Sequence, residues 1–241
     1  MSKNNKKSEY RNRGFIAVNN PEAPWNYVEA YKSLRTNLSF VSLDKQYRKI
    51  LITSSVPKEG KTGNAINLAI SLSENGNKVL LLDCDLRKPM LYNYLQIPHG
   101  RGLTNLITGD RVENVVQHVA NGGFDFLDAG VVPPNPVELL GSVVMKEIIA
   151  KFQEQYDYLI FDTPPVGVVT DAAVLSMITD GVIFVIRQKF ATLEQIRRAK
   201  SNLKAVKADI IGTILNDYSS SGISKKKSLD YQYSYDYQYK P

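Results

Sequence analysis

The stretch "KILITSSVPKEGKTGNAINLAISLSENG" (residues 49–76) contains the pattern that decides the fold. It begins with an apolar run of strand length, 49–54, and continues through a loop that ends in Gly-Lys-Thr. The loop leads into a segment with apolar residues at helical spacing, which stops at Asn75-Gly76. A strand, a lysine-bearing loop and a helix in this order predict a phosphate-binding loop.

The loop supplies the groups that a nucleoside triphosphate needs. Its backbone N–H groups are expected to surround the phosphates, with Lys61 on the β and γ oxygens and Thr62 on Mg²⁺. The strict pattern has glycine where this chain has Ser55, and we expect Lys58 to point to solvent. The predicted phosphate site comprises Ser55, Val56, Pro57, Lys58, Glu59, Gly60, Lys61, Thr62 and Gly63.

Apolar runs of strand length recur along the rest of the chain and alternate with helical patterns. They cover residues 78–83, 124–130, 158–163, 181–187 and 210–216. Several are apolar throughout, as is expected of strands that are covered on both faces. We therefore predict an α/β fold of the P-loop NTPase type, with a mostly parallel central sheet and helices on both faces.

Carboxylates end two of these predicted strands. Asp83 and Asp85 lie in "LLLDCDLRKP" (80–89), and Asp162 lies in "YLIFDTPPVG" (158–167). Two carboxylates at i and i+2 on an extended chain point the same way, and parallel sheets bind ligands at the carboxyl ends of their strands. Beside a phosphate loop, three such acids predict a Mg²⁺ and acid–base cluster.

These motifs resemble those of a known family. In order and spacing, "PKEGKT", "LLLDCDLRKP" and "YLIFDTPPVG" are similar to the Walker A, Walker A′ and Walker B motifs of the bacterial tyrosine kinases of capsule and exopolysaccharide assembly. "EAYKSLRTNL" (29–38) resembles the family's interface motif, and "VVPPNPVELL" (131–140) resembles its loop before a long helix. The resemblance covers essentially the whole chain and implies an ATP- and Mg²⁺-dependent tyrosine kinase.

Roles for single residues follow from that resemblance. We expect Asp83 to accept the tyrosine proton, and Asp85 and Asp162 to hold Mg²⁺ with Thr62. Lys61 completes the predicted catalytic set, and Asn216, at the end of "GTILND", resembles the position that meets adenine. For Arg87 both a phosphate contact and a surface role stay open.

The end of the chain is rich in tyrosine. "DYQYSYDYQYKP" holds five of the 14 tyrosines in alternation with other residues. A kinase that acts on its own tail requires such regularly spaced phenols, and the resemblance implies the same. The predicted phosphoacceptors are Tyr231, Tyr233, Tyr235, Tyr237 and Tyr239.

The segment 29–38 predicts a subunit contact, again through the resemblance. The family pattern Glu-x-x-Arg-x-x-Arg is here Glu29, Lys32 and Arg35, with lysine in place of the middle arginine. The resemblance implies a ring of eight subunits in which one tail enters the neighbouring site. It also implies two partner proteins. One is a transmembrane activator of the polysaccharide co-polymerase type, which recruits a cytoplasmic kinase to the inner membrane face, and the other is a cognate tyrosine phosphatase.

The net charge of +6 comes from the two ends of the chain. Residues 1–13 carry +4 and residues 225–241 carry +2, so the other 211 residues sum to zero. We find no basic patch with interleaved aromatics, which argues against nucleic acid as a partner. The predicted organisation is a flexible basic tail at 1–20, a P-loop kinase domain at 21–218 and a flexible tyrosine-rich tail at 219–241.

Two other functions stay open. Partitioning-type ATPases share this sheet and nucleotide site, but they carry a signature lysine one residue after the first loop position, where this chain has Val56. Such an ATPase switch would not need the tyrosine tail. A non-catalytic nucleotide-bound regulator is the third hypothesis, which a loop distorted at Lys58 would favour.

Overall fold

The computed structural model describes residues 15–43, 45–111 and 115–218. The helices in this part of the chain are α1 (Trp25–Val41), α2 (Lys61–Ser73), α3 (Leu91–Leu95), α4 (Leu103–Ile107), α5 (Pro136–Leu140), α6 (Val143–Gln155), α7 (Asp171–Leu175) and α8 (Leu193–Ala205). The strands are β1 (Lys49–Ser54), β2 (Val79–Asp83), β3 (Val116–Val119), β4 (Phe124–Leu127), β5 (Tyr158–Asp162), β6 (Gly181–Arg187) and β7 (Ile210–Asn216).

The strands form one seven-stranded sheet in the order β3-β4-β2-β5-β1-β6-β7. Every neighbouring pair is parallel except β3 and β4, which are antiparallel. This confirms the predicted mostly parallel sheet. The edge strand β3 was not predicted because it has four residues, none of them buried, and so lacks the apolar run that marks the inner strands.

Both faces of the sheet are covered by helices, as predicted. Successive residues of a strand point to opposite faces. In β1, Ile50 and Ile52 accordingly pack in the apolar cluster that contains α2, whereas Leu51 packs in the cluster that contains α6 and α8. Because both faces are buried, the inner strands are apolar throughout instead of alternating.

The register of the sheet brings the predicted acids to one edge. Asp83, the last residue of β2, is the direct partner of Asp162, the last residue of β5. On its other side Asp162 is the partner of Ile52 in β1, the strand that leads into the phosphate loop. The loop and the acids therefore lie at the carboxyl ends of three adjacent strands, where open α/β sheets bind their ligands.

The packed region begins before the predicted domain boundary. Residues 15–18, which were predicted to belong to the N-terminal tail, lie against α2: Val18 is buried and its N–H donates to Asn67 Oδ1 at 2.8 Å, and Asn67 Nδ2 donates to the Ile16 carbonyl at 3.2 Å. The boundary at residue 20 is thus too late. The predicted tail at 219–241 and residues 1–14 lie outside the described residues. Within the described ranges, no helix combines the length and hydropathy needed to cross a membrane.

Candidate active site

The phosphate loop adopts a conformation that requires glycine at its end. Gly60 has φ +93°, and a Cβ there would lie 2.1 Å from Asn216 Nδ2. Lys58 also lies in the left-handed region, with φ +69°, a conformation that glycine adopts more easily than other residues. Its side chain is exposed, as expected, so the backbone turn is formed without a role for the lysine head group.

Glu59 holds the loop from the inside. Its fully buried carboxylate accepts the N–H of Val56 at 2.9 Å and the N–H of Arg187, at the end of β6, at 3.2 Å. The Glu59 carbonyl accepts Asn216 Nδ2 at 2.9 Å. Glu59 and Asn216 thus fix the loop to the ends of β6 and β7. The phosphate-loop pattern leaves the Glu59 position unrestricted, so it carried no signal for this function.

Lys61 lies between the loop and the acid cluster. Its Nζ is 3.6 Å from Asp85 Oδ2 and 3.9 Å from Asp162 Oδ1. Burial alone would lower the pKa of Lys61, but Asp162, Asp85 and Asp83 together raise it above its ordinary value. The ammonium group is therefore charged at every physiological pH, as a phosphate-neutralising lysine must be.

Asp83 is the innermost of the acids. It has no exposed surface, and its carboxylate accepts three backbone N–H groups, from Asp85, Met90 and Leu91, at 3.1 to 3.2 Å. Burial, followed by the nearby charge of Asp162, raises the pKa of Asp83 well above its ordinary value.

These hydrogen bonds give Asp83 a structural function as well, and its role as acceptor of the tyrosine proton stays a prediction. The bonds fix residues 84–91, the segment that carries Asp85. Asp85 is also buried, and its carboxylate faces the ammonium group of Lys61.

The segment after β5 lies tightly against the phosphate loop. The Thr163 hydroxyl donates to the Ile52 carbonyl at 2.8 Å, and the Val166 N–H donates to the Ser54 carbonyl at 3.0 Å. A Cβ on Gly167 would lie 2.2 Å from the Ser55 carbonyl oxygen, so this approach also requires glycine. The sequence "DTPPVG" therefore joins the two halves of the site.

Asp162 and Thr62 fit a Mg²⁺ ion. Among the described residues, Asp162 Oδ1 is a buried oxygen without a hydrogen-bond partner. Burial raises the pKa of Asp162, while Lys61 and the Thr62 hydroxyl act to lower it. Carboxylate and hydroxyl oxygens are the hard ligands that Mg²⁺ prefers, usually together with water and substrate phosphates.

Arg87 has a structural partner that the sequence did not reveal. Its Nε donates to both carboxylate oxygens of Asp171, at 3.0 and 3.2 Å. Asp171 is fully buried at the start of α7. Of the two roles left open for Arg87, a phosphate contact is therefore disfavoured, because the guanidinium neutralises a buried carboxylate and ties the Asp85 segment to α7.

A cleft of about 290 Å³ adjoins the loop on the side away from the acids. Its walls include Gly60, Asn216 and Asp217 on one side and Phe15 and Tyr94 on the other. The two aromatic rings contact each other edge to face, with centroids 5.3 Å apart. The aromatic rings and the amide of Asn216 line one cleft, and the adenine contact of Asn216 stays a prediction.

The predicted interface residues are paired within the chain. Lys32 Nζ lies 2.8 Å from Glu29 Oε1 on the exposed side of α1. Arg35 Nη1 donates to the Ser71 carbonyl of α2 at 2.7 Å. Arg35 therefore has a role in joining α1 to α2, whatever it contacts in an assembly. The five predicted phosphoacceptor tyrosines lie outside the described residues.

Comparisons with known proteins identify the family of the chain. Residues 48–216 match the model of a family described as an AAA domain. The chain is 38% identical to the tyrosine-protein kinase YwqD of Bacillus subtilis over 224 residues, which is 92% of this chain and 91% of YwqD. It is 34% identical to the tyrosine-protein kinase Etk of Escherichia coli over 95% of this chain, and spans 31% of Etk.

Solved structures give the same result. The kinase domain of E. coli Etk superposes with a TM-score of 0.79 at 34% identity, covering 90% of this chain and 86% of that domain. The septum site-determining protein MinD of Pyrococcus horikoshii, solved with Mg-ADP, superposes with a TM-score of 0.61 at 26% identity, covering 76% of each chain.

The parallel sheet, the phosphate loop and the carboxylates at adjoining strand ends define a P-loop nucleotide-binding protein. Within that class, identity to a tyrosine-protein kinase over nearly the full length of both chains decides the family. The chain belongs to the bacterial tyrosine kinases.

Proposed function

We propose that this protein is an ATP- and Mg²⁺-dependent tyrosine kinase that phosphorylates its own C-terminal cluster, Tyr231 to Tyr239, on a neighbouring copy. The observation that carries the proposal is the position of Lys61, between the phosphate loop and the carboxylates of Asp85 and Asp162. A site of this kind brings phosphate, metal and a proton acceptor together, which is what phosphoryl transfer requires.

Each residue of the site has a separate role in the proposed reaction. The backbone from Ser55 to Gly63 holds the triphosphate, and Lys61 neutralises its transferred end. Thr62, Asp85 and Asp162 would hold Mg²⁺, which when bound would spread the charge that develops on the phosphates. Asp83 accepts the phenol proton, and its hydrogen bonds, together with the Arg87–Asp171 pair, keep the Asp85 segment in position. Asn216 and the aromatic wall orient the base.

An ATPase switch without kinase activity is the second candidate, supported by the likeness of the fold to MinD. Two features favour the kinase over it. Val56 stands where the partitioning-type ATPases have their signature lysine. The end of the chain presents five alternating tyrosines, which ATP hydrolysis does not require.

The cellular setting is proposed from the family. Relatives are named for a cps region and as putative kinases called EpsB, which supports a function in capsular or exopolysaccharide biosynthesis and export. We infer a cytoplasmic kinase that a transmembrane activator of the polysaccharide co-polymerase type recruits to the membrane. A ring of eight subunits and a cognate tyrosine phosphatase complete the proposal.

Intact-mass spectrometry of the full chain with ATP and Mg²⁺, with and without a candidate activator segment, tests the function. We expect phosphate on residues 231–239. Lys61→Met should abolish it, because the charge on the transferred phosphate is no longer neutralised, and replacement of the five tail tyrosines by Phe should remove the acceptors. Lys78→Met, at an exposed position outside the site, is the matched control and should keep full phosphorylation.

The same experiment separates the two candidates. ATP turnover without protein-bound phosphate, even with activator, would establish the ATPase switch and contradict the kinase. Phosphate that persists in Lys61→Met would show that a contaminating kinase supplies it.

A further inference from the structure

The helix that begins at the phosphate loop has a buried polar stripe. Asn64, Asn67 and Ser71 lie at helical spacing on α2, and none is more than 4% exposed. This stripe faces α1 and the segment 15–18. Buried polar side chains cost free energy unless each finds a partner, so the bonds made by this stripe indicate what it is for.

Each residue of the stripe makes a different connection. The Ser71 hydroxyl donates to the Tyr31 carbonyl, and the Ser71 backbone carbonyl accepts from Arg35. Asn67 binds the segment 15–18 and the Tyr27 hydroxyl. These connections attach α1 and the N-terminal segment to the body of α2. Asn64, at the end of the stripe next to the loop, is the only one of the three that reaches the loop itself.

Asn64 joins α1 to the phosphate loop. The Tyr31 hydroxyl donates to Asn64 Oδ1 at 2.9 Å, and Asn64 Nδ2 donates to the Gly60 carbonyl at 2.9 Å. A carbonyl only accepts, so the Asn64 amide has to face Gly60 with its nitrogen, which leaves its oxygen for Tyr31. Burial raises the pKa of Tyr31, so its hydroxyl stays protonated and able to donate.

The position of the Gly60 carbonyl matters for a nucleotide. In a planar trans peptide the C=O of one residue and the N–H of the next point in opposite directions. The Gly60 carbonyl accepts both the Asn64 backbone N–H at 3.0 Å and Asn64 Nδ2 at 2.9 Å, and these two bonds together fix the direction of the Lys61 N–H, the first N–H of α2. N–H groups at a helix start have no partner within the helix and bind phosphate oxygens.

We propose that Tyr31 and Asn64 are positioning residues for nucleotide binding: the chain of hydrogen bonds Tyr31–Asn64–Gly60 makes the affinity of the phosphate loop depend on how α1 packs. This goes beyond the proposed function, because it concerns nucleotide affinity whether or not phosphate is then transferred to tyrosine. It also gives α1, which carries Glu29 and Lys32 on its exposed side, a direct connection to the loop.

Titration of the full chain with a fluorescent ADP analogue and Mg²⁺ tests the proposal. Tyr31→Phe removes one hydroxyl and keeps the ring. We expect it to raise the dissociation constant for the nucleotide by about 3- to 10-fold, which corresponds to the contribution of one hydrogen bond. Tyr156→Phe is the matched control. It removes a part-buried tyrosine hydroxyl that donates to Asp125 Oδ2 at 2.8 Å, and Tyr156 contacts neither the loop nor the cleft beside it.

The melting temperature without nucleotide separates positioning from general destabilisation. Both variants should lower it by similar amounts, whereas only Tyr31→Phe should weaken binding. Equal effects of the two variants on the dissociation constant, or none from Tyr31→Phe, would overturn the proposal.

A double-mutant cycle adds a second criterion. Since Tyr31 acts through Asn64, Tyr31→Phe should have no further effect on affinity in an Asn64→Ala background. Additive effects of the two substitutions would show that Tyr31 does not act through Asn64, and would also overturn the proposal.

Discussion

Asp83 is a carboxyl group whose environment favours its protonated form. Because burial raises the pKa of Asp83 in the native state, the unfolded chain releases this proton at lower pH than the folded protein does. The stabilising contribution of the proton is complete below the ordinary pKa of an aspartate, about 3.9. It is lost as the pH rises from there through the elevated native pKa.

We therefore predict that Asp83→Asn changes the pH dependence of stability. The amide does not titrate, so the wild type should lose stability relative to the variant as the pH rises, by at most about 1.4 kcal/mol per pH unit. Urea unfolding of both proteins from about pH 5 to about pH 8 measures the difference. Glu74→Gln, at an exposed carboxylate, is the control. A constant difference over this range would show that Asp83 does not carry the shift.

Arg87 gives a second prediction for a single residue. Arg87→Met leaves the carboxylate of Asp171 fully buried without its cation, which should lower the free energy of unfolding by about 2 kcal/mol. This is less than the loss typical of a fully buried pair, because the Arg87 side chain is 41% exposed. Chemical denaturation measures the loss.

Two variants make the Arg87 prediction specific. Arg101→Met removes the exposed pair with Asp110 and should leave the unfolding midpoint nearly unchanged, because solvent screens that pair. Asp171→Asn in the Arg87→Met background should restore part of the stability, since it removes the unpaired charge. If the second substitution only adds to the loss, the ion pair is not the cause.

Between elements, the distance from the β5–α7 segment to the phosphate loop is set by Gly167. Gly167→Ala would place a Cβ 2.2 Å from the Ser55 carbonyl oxygen, so one of the two segments must move. We expect nucleotide affinity to fall by about 5- to 150-fold, which corresponds to the about 1 to 3 kcal/mol that overpacking costs. Calorimetric titration with MgADP measures it.

Gly212→Ala is the matched control for Gly167→Ala. A Cβ at Gly212, on the outer strand β7, meets nothing within 4 Å. It should keep full affinity and the same or slightly higher stability, because alanine lowers the entropy of the unfolded chain. Equal affinities for the two variants would contradict a fixed distance between the segments.

The elements also show what the sequence could predict. Six strands were predicted because long apolar runs mark strands that are buried on both faces. Convergence of Lys61, Asp85 and Asp162 followed from their placement after such strands. The sequence did not predict that Glu59 and Asn64 stabilise the loop through hydrogen bonds. Both occupy positions that the phosphate-loop pattern leaves open. Their partners lie in β6, β7 and α1, which are distant in sequence.

For the molecule as a whole, α1 connects two proposals. Its buried side bonds to α2 through Tyr31 and Arg35, and its exposed side carries the pair of Glu29 and Lys32. If the exposed side forms the proposed subunit contact, binding of nucleotide and assembly act on the same helix and must affect each other reciprocally.

Reversal of one charge on this side of α1 tests the assembly. Lys32→Glu breaks the pair with Glu29 and places two like charges where the ring requires an attraction, so the subunit dissociation constant should rise at least about tenfold. Sedimentation velocity over a range of protein concentrations measures it. The melting temperature of dilute protein should stay close to that of the wild type, because the pair is exposed and screened.

Lys78→Glu makes the same change in net charge at an exposed position outside α1 and should leave assembly intact. Incubation of the wild type with ATP supplies an independent perturbation. Each phosphotyrosine adds about −1.5 to −2 charges, so a modified tail is repelled by the carboxylates around Lys61 and the assembly should become smaller. One unchanged species in Lys32→Glu and in phosphorylated wild type would mean that α1 serves the loop of its own chain and does not join subunits.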